Sequence, residues 1–186
     1  MIVEGTEAFP APRQTVYDLL QDPDVLVKAL PGAKSLTRTG DGRFEGVMSV
    51  GVGPVTAAEF SIKVELFDQA PPDRFSMRID GKGAVGFARG VATISLTEGD
   101  AGGTVMHYRA DLQIGGKIAS VGQRLLDGAS RTMTRQGLDA LSRELDARLG
   151  VATPVVAASA GSMRKYVAAG LALGALLLIG FCRVLS

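Results

Sequence analysis

The 186-residue chain predicts an α+β fold: a curved antiparallel sheet of about seven strands around a long C-terminal helix, followed by a C-terminal transmembrane helix. Three observations predict it. Stretches of alternating apolar and polar residues are joined by connections too short for crossover helices, which makes neighbouring strands antiparallel. The segment Lys117–Leu149 has helical periodicity with one apolar side that can cover a sheet. Finally, seventeen residues from Tyr166 to Cys182 run without a charge, a proline or an amide side chain.

Taken in order, Ile2–Phe9 is a first strand, stopped by Pro10 and Pro12, and Pro12 suits the start of a helix over Arg13–Leu20. Asp22-Pro23 opens a second short helix that ends at Pro31-Gly32. Strands follow at Lys34–Thr39, Arg43–Val52, Val55–Asp68, Arg74–Asp80, Phe87–Glu98 and Thr104–Ile114, each closed by glycine, proline or aspartate. Ala58, Phe60, Ile62, Val64 and Leu66 share one face, with Glu59, Lys63 and Glu65 on the other. Phe75, Met77 and Ile79 alternate with charged residues, as do Met106, Tyr108, Ala110 and Leu112. The covering helix presents Ile118, Val121, Leu125, Ala129, Met133, Ala140 and Leu145, with Gln136 near its inner side. This is the helix-grip arrangement.

The domain is thus expected over 1–150, with 151–165 as a flexible linker and 166–185 as a membrane anchor. The apolar run is roughly 26 Å long as a helix and reaches about 30 Å when extended to Leu185, the depth of a bilayer's hydrocarbon core. Arg183 can snorkel to the headgroups, and Arg164 and Lys165 precede the run. The alternative, a C-terminal helix packed on the domain, conflicts with the absence of a polar face. Gly170 and Gly174 form a GxxxG step that could pair helices. The N-terminal MIVEGTEAF lacks a secretory signal pattern. The domain is therefore expected on the cytoplasmic side of the inner membrane, on a single-pass anchor.

Charge and motif narrow the function classes. Twenty basic and nineteen acidic residues leave a net charge of +1, which does not favour nucleic acid. Gly81-Lys82-Gly83-Ala84-Val85-Gly86 matches a dinucleotide fingerprint, but the FARGVATISL that follows alternates like a strand. Without a helix N-terminus to hold a pyrophosphate, a flexible hairpin or a mobile lip is the better reading, with Gly83, Gly86 and Gly90 giving the backbone freedom. His107 is the only histidine and falls on the polar phase of its strand, so neither a metal site nor a catalytic triad can be assembled. The inner faces carry no paired acid and base, and the protein is expected not to be an enzyme.

Small residues on the inner faces (Ala58, Ala88, Gly90, Ala92, Ala110, Gly122 and Ala129) suggest unfilled apolar volume, close packing being the alternative. The expected ligand-binding residues are Phe60, Ile62, Val64, Phe75, Met77, Ile79, Ala92, Ile94, Met106, Tyr108, Ala110 and Leu112 on the sheet. The helix side contributes Ile118, Val121, Leu125, Ala129 and Met133. Tyr108 is the residue placed to hydrogen-bond a carbonyl in such a pocket.

Four blocks carry a family resemblance: DPDVLVKALPGAKSL (Asp22–Leu36), VGVGPVTAAEFSIKVEL (Val50–Leu66), GKGAVGFARGVATISL (Gly81–Leu96) and GTVMHYRADLQIGGKIASVGQRLLDGASR (Gly103–Arg131). Over Met1–Leu149 the chain resembles the CoxG-like family, named for the G component of carbon monoxide dehydrogenase, within the START-like, SRPBCC superfamily. The resemblance implies a helix-grip fold around a hydrophobic ligand cavity. It also implies a molybdenum hydroxylase of the carbon monoxide dehydrogenase type as partner, brought to the cytoplasmic membrane. It carries no molybdenum, flavin or iron–sulfur ligands, and no tightly bound cofactor is expected.

Three functions follow as expectations. The first is a membrane-tethered, non-enzymatic carrier of a hydrophobic molecule, with an isoprenoid quinone as the expected ligand because tether and cavity would then serve one electron-delivery role. The second is a recruitment adaptor that docks its partner through the surface around Pro31-Gly32. The third is a small enzyme acting on a hydrophobic substrate.

Overall fold

The computed structural model describes residues 1–52 and 55–150, with side chains described outside 53–57. The strands β1 (Ile2–Phe9), β2 (Ala33–Gly40), β3 (Arg43–Val52), β4 (Val55–Ala70), β5 (Arg74–Gly83), β6 (Gly86–Glu98) and β7 (Thr104–Gly115) form one sheet in the order β1-β7-β6-β5-β4-β3-β2. Every neighbouring pair is antiparallel. Strands β2 to β7 form a meander, and β1 pairs with its last strand. Since β1 and β2 occupy opposite edges, the segment joining them must cross the sheet. That segment contains α1 (Arg13–Leu19) and α2 (Pro23–Ala29).

Local chemistry accounts for these helices. Pro12 precedes α1 in an extended conformation, its ring disfavouring continuation of a helix from behind. In α2, Pro23 occupies the first turn and the Asp22 side chain accepts the Asp24 N–H at 2.9 Å, satisfying a donor the helix leaves free. The inner faces of α1 and α2 bury Val16, Tyr17, Leu19, Val25, Leu26 and Ala29.

The sheet's inner face is built from cross-strand rows. Phe44, Val64, Ile79, Gly90 and Leu112 make one; Leu66, Met77, Ala92, Ala110 and Val3 make another. The next row runs Phe75, Ile94, Tyr108, Gly5, and beside it lie Leu96, Met106 and Glu7. Tyr17 of α1 meets Phe75 edge to face, with ring centroids 5.5 Å apart. The opposite face interleaves charges: Arg43 and Arg78 flank Glu65, Lys63 meets Glu45, Lys82 meets Asp80, and Arg109 meets Glu4. Such exposed pairs add little stability, but they keep either sign from dominating that face.

Two expectations about the fold need correction. Lys117–Leu149 is not one helix. A 3-10 turn covers Lys117–Val121, Gly122 adopts φ +95°, and α3 (Gln123–Leu149) starts afresh beyond it. The expected inner positions Ala129, Met133, Ala140 and Leu145 stay inside across the break. The buried side of α3 is Leu126, Ala129, Ser130, Met133, Thr134, Gly137, Leu138, Ala140, Leu141 and Leu145. Leu125, expected inside, is 48% exposed, and Gln136 is exposed as well.

The second correction concerns the glycine-rich hairpin. β5 runs on to Gly83, a two-residue turn follows, and β6 begins at Gly86. That turn is tied down, because the Ile118 N–H donates to the Val85 carbonyl at 3.0 Å. Its glycines serve close approach: a Cβ on Gly86 would stand 2.0 Å from the Gly115 carbonyl oxygen, and one on Gly90 would stand 2.0 Å from that of Asp111. The segment is a packed corner, not a free lip.

Helix α3 ends at Gly150 in the left-handed conformation, with its N–H bonded to the Asp146 carbonyl. Among the described residues no helix is long and apolar enough to cross a membrane. The expected linker over 151–165 and anchor over 166–185 lie outside the described residues.

Candidate functional site

The interior between the sheet and its helical cover is the candidate site. Alternation along each strand turns Phe60, Ile62, Val64, Phe75, Met77, Ile79, Ala92, Ile94, Met106, Tyr108, Ala110 and Leu112 inward, and all are buried. Ile118, Ala129 and Met133 join them from the covering side. Val121 is only partly buried, packed against the edge of the core, and Leu125 lies outside it. These residues form one continuous core, so the structure brings nearly the whole expected set together.

The interior is nearly filled, however. An apolar cavity of about 20 Å³ lies between the α1–α2 segment and β2–β6. It is lined by Leu20, Leu26, Leu36, Phe44, Val64, Leu66, Phe75, Met77 and Ile94. That volume suits roughly one water, whereas a cavity that admits a benzene ring is nearer 150 Å³. Only Val64, Phe75, Met77 and Ile94 of the expected lining touch it. Ala92 and Ala110, whose small side chains suggest empty space, are wholly buried and do not line it.

Polar groups inside the core are the more informative feature. The Tyr108 hydroxyl, Ser130 Oγ and Thr134 Oγ1 are buried without a hydrogen-bond partner among the described residues. Tyr108 and Ser130 are each 3% exposed and Thr134 is 0%. Ser130 and Thr134 stand four residues apart on the buried side of α3, one turn above the other. An unpaired buried hydroxyl costs about 1–3 kcal/mol, so three in one core are a considerable load for a domain of this size.

Glu7 adds a fourth group that the sequence does not single out, an acid on the inward phase of β1. β1 alternates exposed with partly buried residues, and Val3, Gly5, Glu7 and Phe9 share the inward phase. Glu7 sits opposite Met106, and Tyr108 is its diagonal neighbour, roughly 7–8 Å away. Burial pushes the Glu7 carboxyl above its usual value, and the Asp139 carboxylate of α3 adds to the rise. Burial, reinforced by Glu7, likewise raises Tyr108, which keeps its hydroxyl protonated. No Lys, Arg or His is buried among the described residues. The site can thus offer hydroxyl donors and one carboxyl, with no cation.

His107 is exposed on the outer face, where its Nδ1 lies 3.2 Å from Thr6 Oγ1. Among the described residues no cluster of His, Cys, Asp and Glu could hold a metal ion. The outer groove beside His107, lined by Glu4, Thr6, Thr93, Ser95 and Arg109 among others, is open to solvent.

Comparison with known proteins fits this geometry. A conserved protein from Geobacillus kaustophilus superposes with a TM-score of 0.74 at 25% identity, covering 79% of this chain and 96% of that one. A Thermus thermophilus protein gives a TM-score of 0.60 at 18% identity, covering 80% and 99%. A START superfamily protein from Mycobacterium smegmatis gives 0.59 at 12% identity, covering 79% and 98%, which supports the START-like fold. No curated protein shows a significant sequence match. The family model for CoxG, the G component of carbon monoxide dehydrogenase, matches residues 5–146, nearly the whole of the described domain, and the chain belongs to that CoxG family.

Proposed function

We propose that this protein is a non-enzymatic carrier of a hydrophobic small molecule, an isoprenoid quinone, that serves a molybdenum hydroxylase of the carbon monoxide dehydrogenase type at the inner membrane. One observation carries the reading: an apolar interior between sheet and helices that holds three buried hydroxyls with no hydrogen-bond partner among the described residues. A core evolved only for packing gains by replacing such groups with apolar ones, whereas a binding site keeps them for a ligand's oxygens. Family membership supplies the link to carbon monoxide dehydrogenase. The seventeen-residue apolar run supplies the tether, and a quinone's prenyl chain, at about 0.8 kcal/mol for each exposed CH₂, needs a covered path from the membrane.

The test is to purify the full-length protein in detergent, extract it with organic solvent and identify the lipids by mass spectrometry. An isoprenoid quinone enriched over the bulk membrane lipid is expected. Phospholipid alone, or nothing, together with failure to bind added quinone, overturns the carrier reading. It would favour a recruitment adaptor that uses the surface around Pro31-Gly32, whose partly open position between α2 and β2 leaves it accessible. Resistance of the protein to carbonate extraction tests the tether separately; release into the soluble fraction overturns it.

A further inference from the structure

We propose that the outer ridge of α3, formed by Arg124, Arg131 and Arg135, docks the domain on anionic phospholipid headgroups, with α3 lying along the bilayer. This rests on the membrane-tethered reading and adds what a tether alone leaves open, the face turned to the lipid.

Helical geometry aligns the three arginines. They stand seven and four residues apart, two turns and one, so their side chains fall within an arc of about 40°. That arc lies opposite Ala129, Met133 and Gly137 on the buried side, and all three arginines are exposed. From Arg124 to Arg135 the ridge runs about 17 Å. Lys117, before the break at Gly122, is exposed as well.

Two features separate this ridge from an ordinary solvated face. The first is its lack of counter-charge. On the outer face of the sheet Arg43, Arg78 and Arg109 each meet a glutamate, and Arg148 at the end of α3 meets Asp22. Among the described residues neither Arg124, Arg131 nor Arg135 forms an ion pair. The nearby Asp127 carboxylate instead accepts from the Gln123 amide at 2.8 Å. The second feature is Gly128, exposed in the gap between Arg124 and Arg131, where a Cβ would meet nothing within 4 Å. Glycine weakens a helix interior relative to alanine, and no neighbour among the described residues requires it there. Bare backbone between the guanidinium groups lets a surface approach the helix closely.

The chain beyond α3 argues for lipid as that surface. α3 has 27 residues, about 40 Å of helix, and the expected linker and apolar run follow its end. A random coil as long as 151–165 spans on the order of 20 Å, so a tether keeps the C-terminal end of α3 near the headgroups. The ridge occupies the other half of the helix. Laying α3 along the bilayer satisfies both attachments at once, and guanidinium groups pair readily with phosphate oxygens. Leu125, 48% exposed beside Arg124, can enter the apolar margin of the interface. The outer face of the sheet then points away from the membrane, toward a partner. Each basic residue held at an anionic surface favours docking roughly fivefold, so three give on the order of 100-fold.

The experiment uses the full-length protein carrying Gln136→Cys in a Cys182→Ser background, with a fluorophore on the new thiol beside Arg135. It is incorporated into vesicles of phosphatidylcholine alone or with about a third phosphatidylglycerol, each containing a spin-labelled headgroup that quenches at close range. Quenching should be strong with phosphatidylglycerol, weak without it, and lost at about 1 M salt, where screening acts within about 3 Å. Arg131→Gln combined with Arg135→Gln should shift the balance roughly 30-fold toward the undocked state. Arg74→Gln combined with Arg89→Gln removes the same charge from exposed positions of the sheet and should leave docking unchanged. Equal quenching in both lipids, or a ridge variant indistinguishable from wild type, overturns the ridge while vesicle-bound protein leaves the tether standing. Failure to co-float with either vesicle overturns tether and ridge together. If the ridge arginines show no lipid quenching and are needed instead to capture the molybdenum hydroxylase, the surface is a protein interface and the lipid assignment falls.

Discussion

Replacing Ser130 by Ala and Thr134 by Val should stabilise the ligand-free domain, which is the opposite of what most core substitutions do. Thr134 is wholly buried and Ser130 nearly so, and neither hydroxyl has a partner among the described residues. Removing each unpaired hydroxyl recovers about 1–3 kcal/mol of desolvation cost. Val in place of Thr keeps the branched shape and buries an extra methyl, worth up to about 0.8 kcal/mol. Ala in place of Ser leaves a small void, which offsets part of the gain. The double variant should therefore gain about 2–4 kcal/mol, which for about 150 residues raises the melting temperature by roughly 5–12 °C. Urea denaturation and calorimetry of the domain ending at Gly150, stripped of lipid, measure it directly. A loss of more than about 1 kcal/mol would refute the reasoning, since it would mean that the hydroxyls already bond to buried water or to the carbonyls of their own helix.

Other residues give sharper signs than sizes. The Glu7 carboxyl has a folded value raised above 4.5, so folding is penalised progressively as pH rises from about 4.5 through that folded value. Glu7→Gln should accordingly stabilise the domain at pH 7 and leave it unchanged below about pH 4; equal effects at both pH values would argue against the burial of its charge. At Asp22, burial alone would raise the carboxyl, but hydrogen bonds from the Arg148 guanidinium and the Asp24 and Val25 N–H groups hold it below 3.8. Its contribution is present above about pH 3.8 and is lost as pH falls through the lower folded value. Asp22→Ala should cost about 1 kcal/mol in a neutral-pH urea titration, mostly as a lost helix cap, because the exposed Arg148 pair adds little. His107→Ala should change stability by less than about 0.5 kcal/mol and leave quinone binding intact. Complete loss of binding by a folded His107→Ala protein would give that exposed ring a role the interior does not provide.

Strand positions are legible because alternation is a property of neighbouring residues. Phe60, Ile62 and Val64 declare their face without help from the rest of the chain. Most of the face of α3 is legible as well, since Ala129, Met133, Ala140 and Leu145 are buried as read, and the misplaced position, Leu125, is in the first turn after Gly122, whose φ of +95° breaks the helix. Counted from Gln123, Leu126, Ser130, Met133, Gly137, Leu141 and Leu145 form a ladder that sets Ser130 and Thr134 inward. Glu7 escapes the sequence pattern for a different reason: in IVEGTEAF each phase carries one glutamate, so alternation alone cannot choose between them. The aromatic Phe9 is the available signal, and pairing of Gly5 with Tyr108 settles the choice. The small cavity cannot be read from sequence at all. Ala92 and Ala110 are small because neighbours fill the space above them, and filling is decided by the helical layer as a whole.

A cavity of about 20 Å³ and a ring-bearing ligand are incompatible unless something moves, and the fold indicates which layer moves. The sheet is a continuous seven-stranded ladder, so spreading it breaks a row of backbone hydrogen bonds. Helix α3 keeps its hydrogen bonds internal and is tied to the neighbouring layer largely by side chains, including the Lys28–Glu144 and Asp22–Arg148 pairs with α2. Its first turn is exposed at Gln123, Arg124 and Leu125, and Gly122 before it has no neighbour that a Cβ would strike. The helical cover, not the sheet, is therefore the layer that makes room, and displacing α3 lifts Ser130 and Thr134 together. Hydrogen exchange should show α3 amides opening at lower free energy than those of β5–β7 in the ligand-free protein. Loading a naphthoquinone should slow exchange along Gln123–Thr134 as the new contacts hold the helix in place. Uniform exchange across sheet and helix, unchanged by ligand, would mean that the cover does not open and that the interior is a packed core with no passenger.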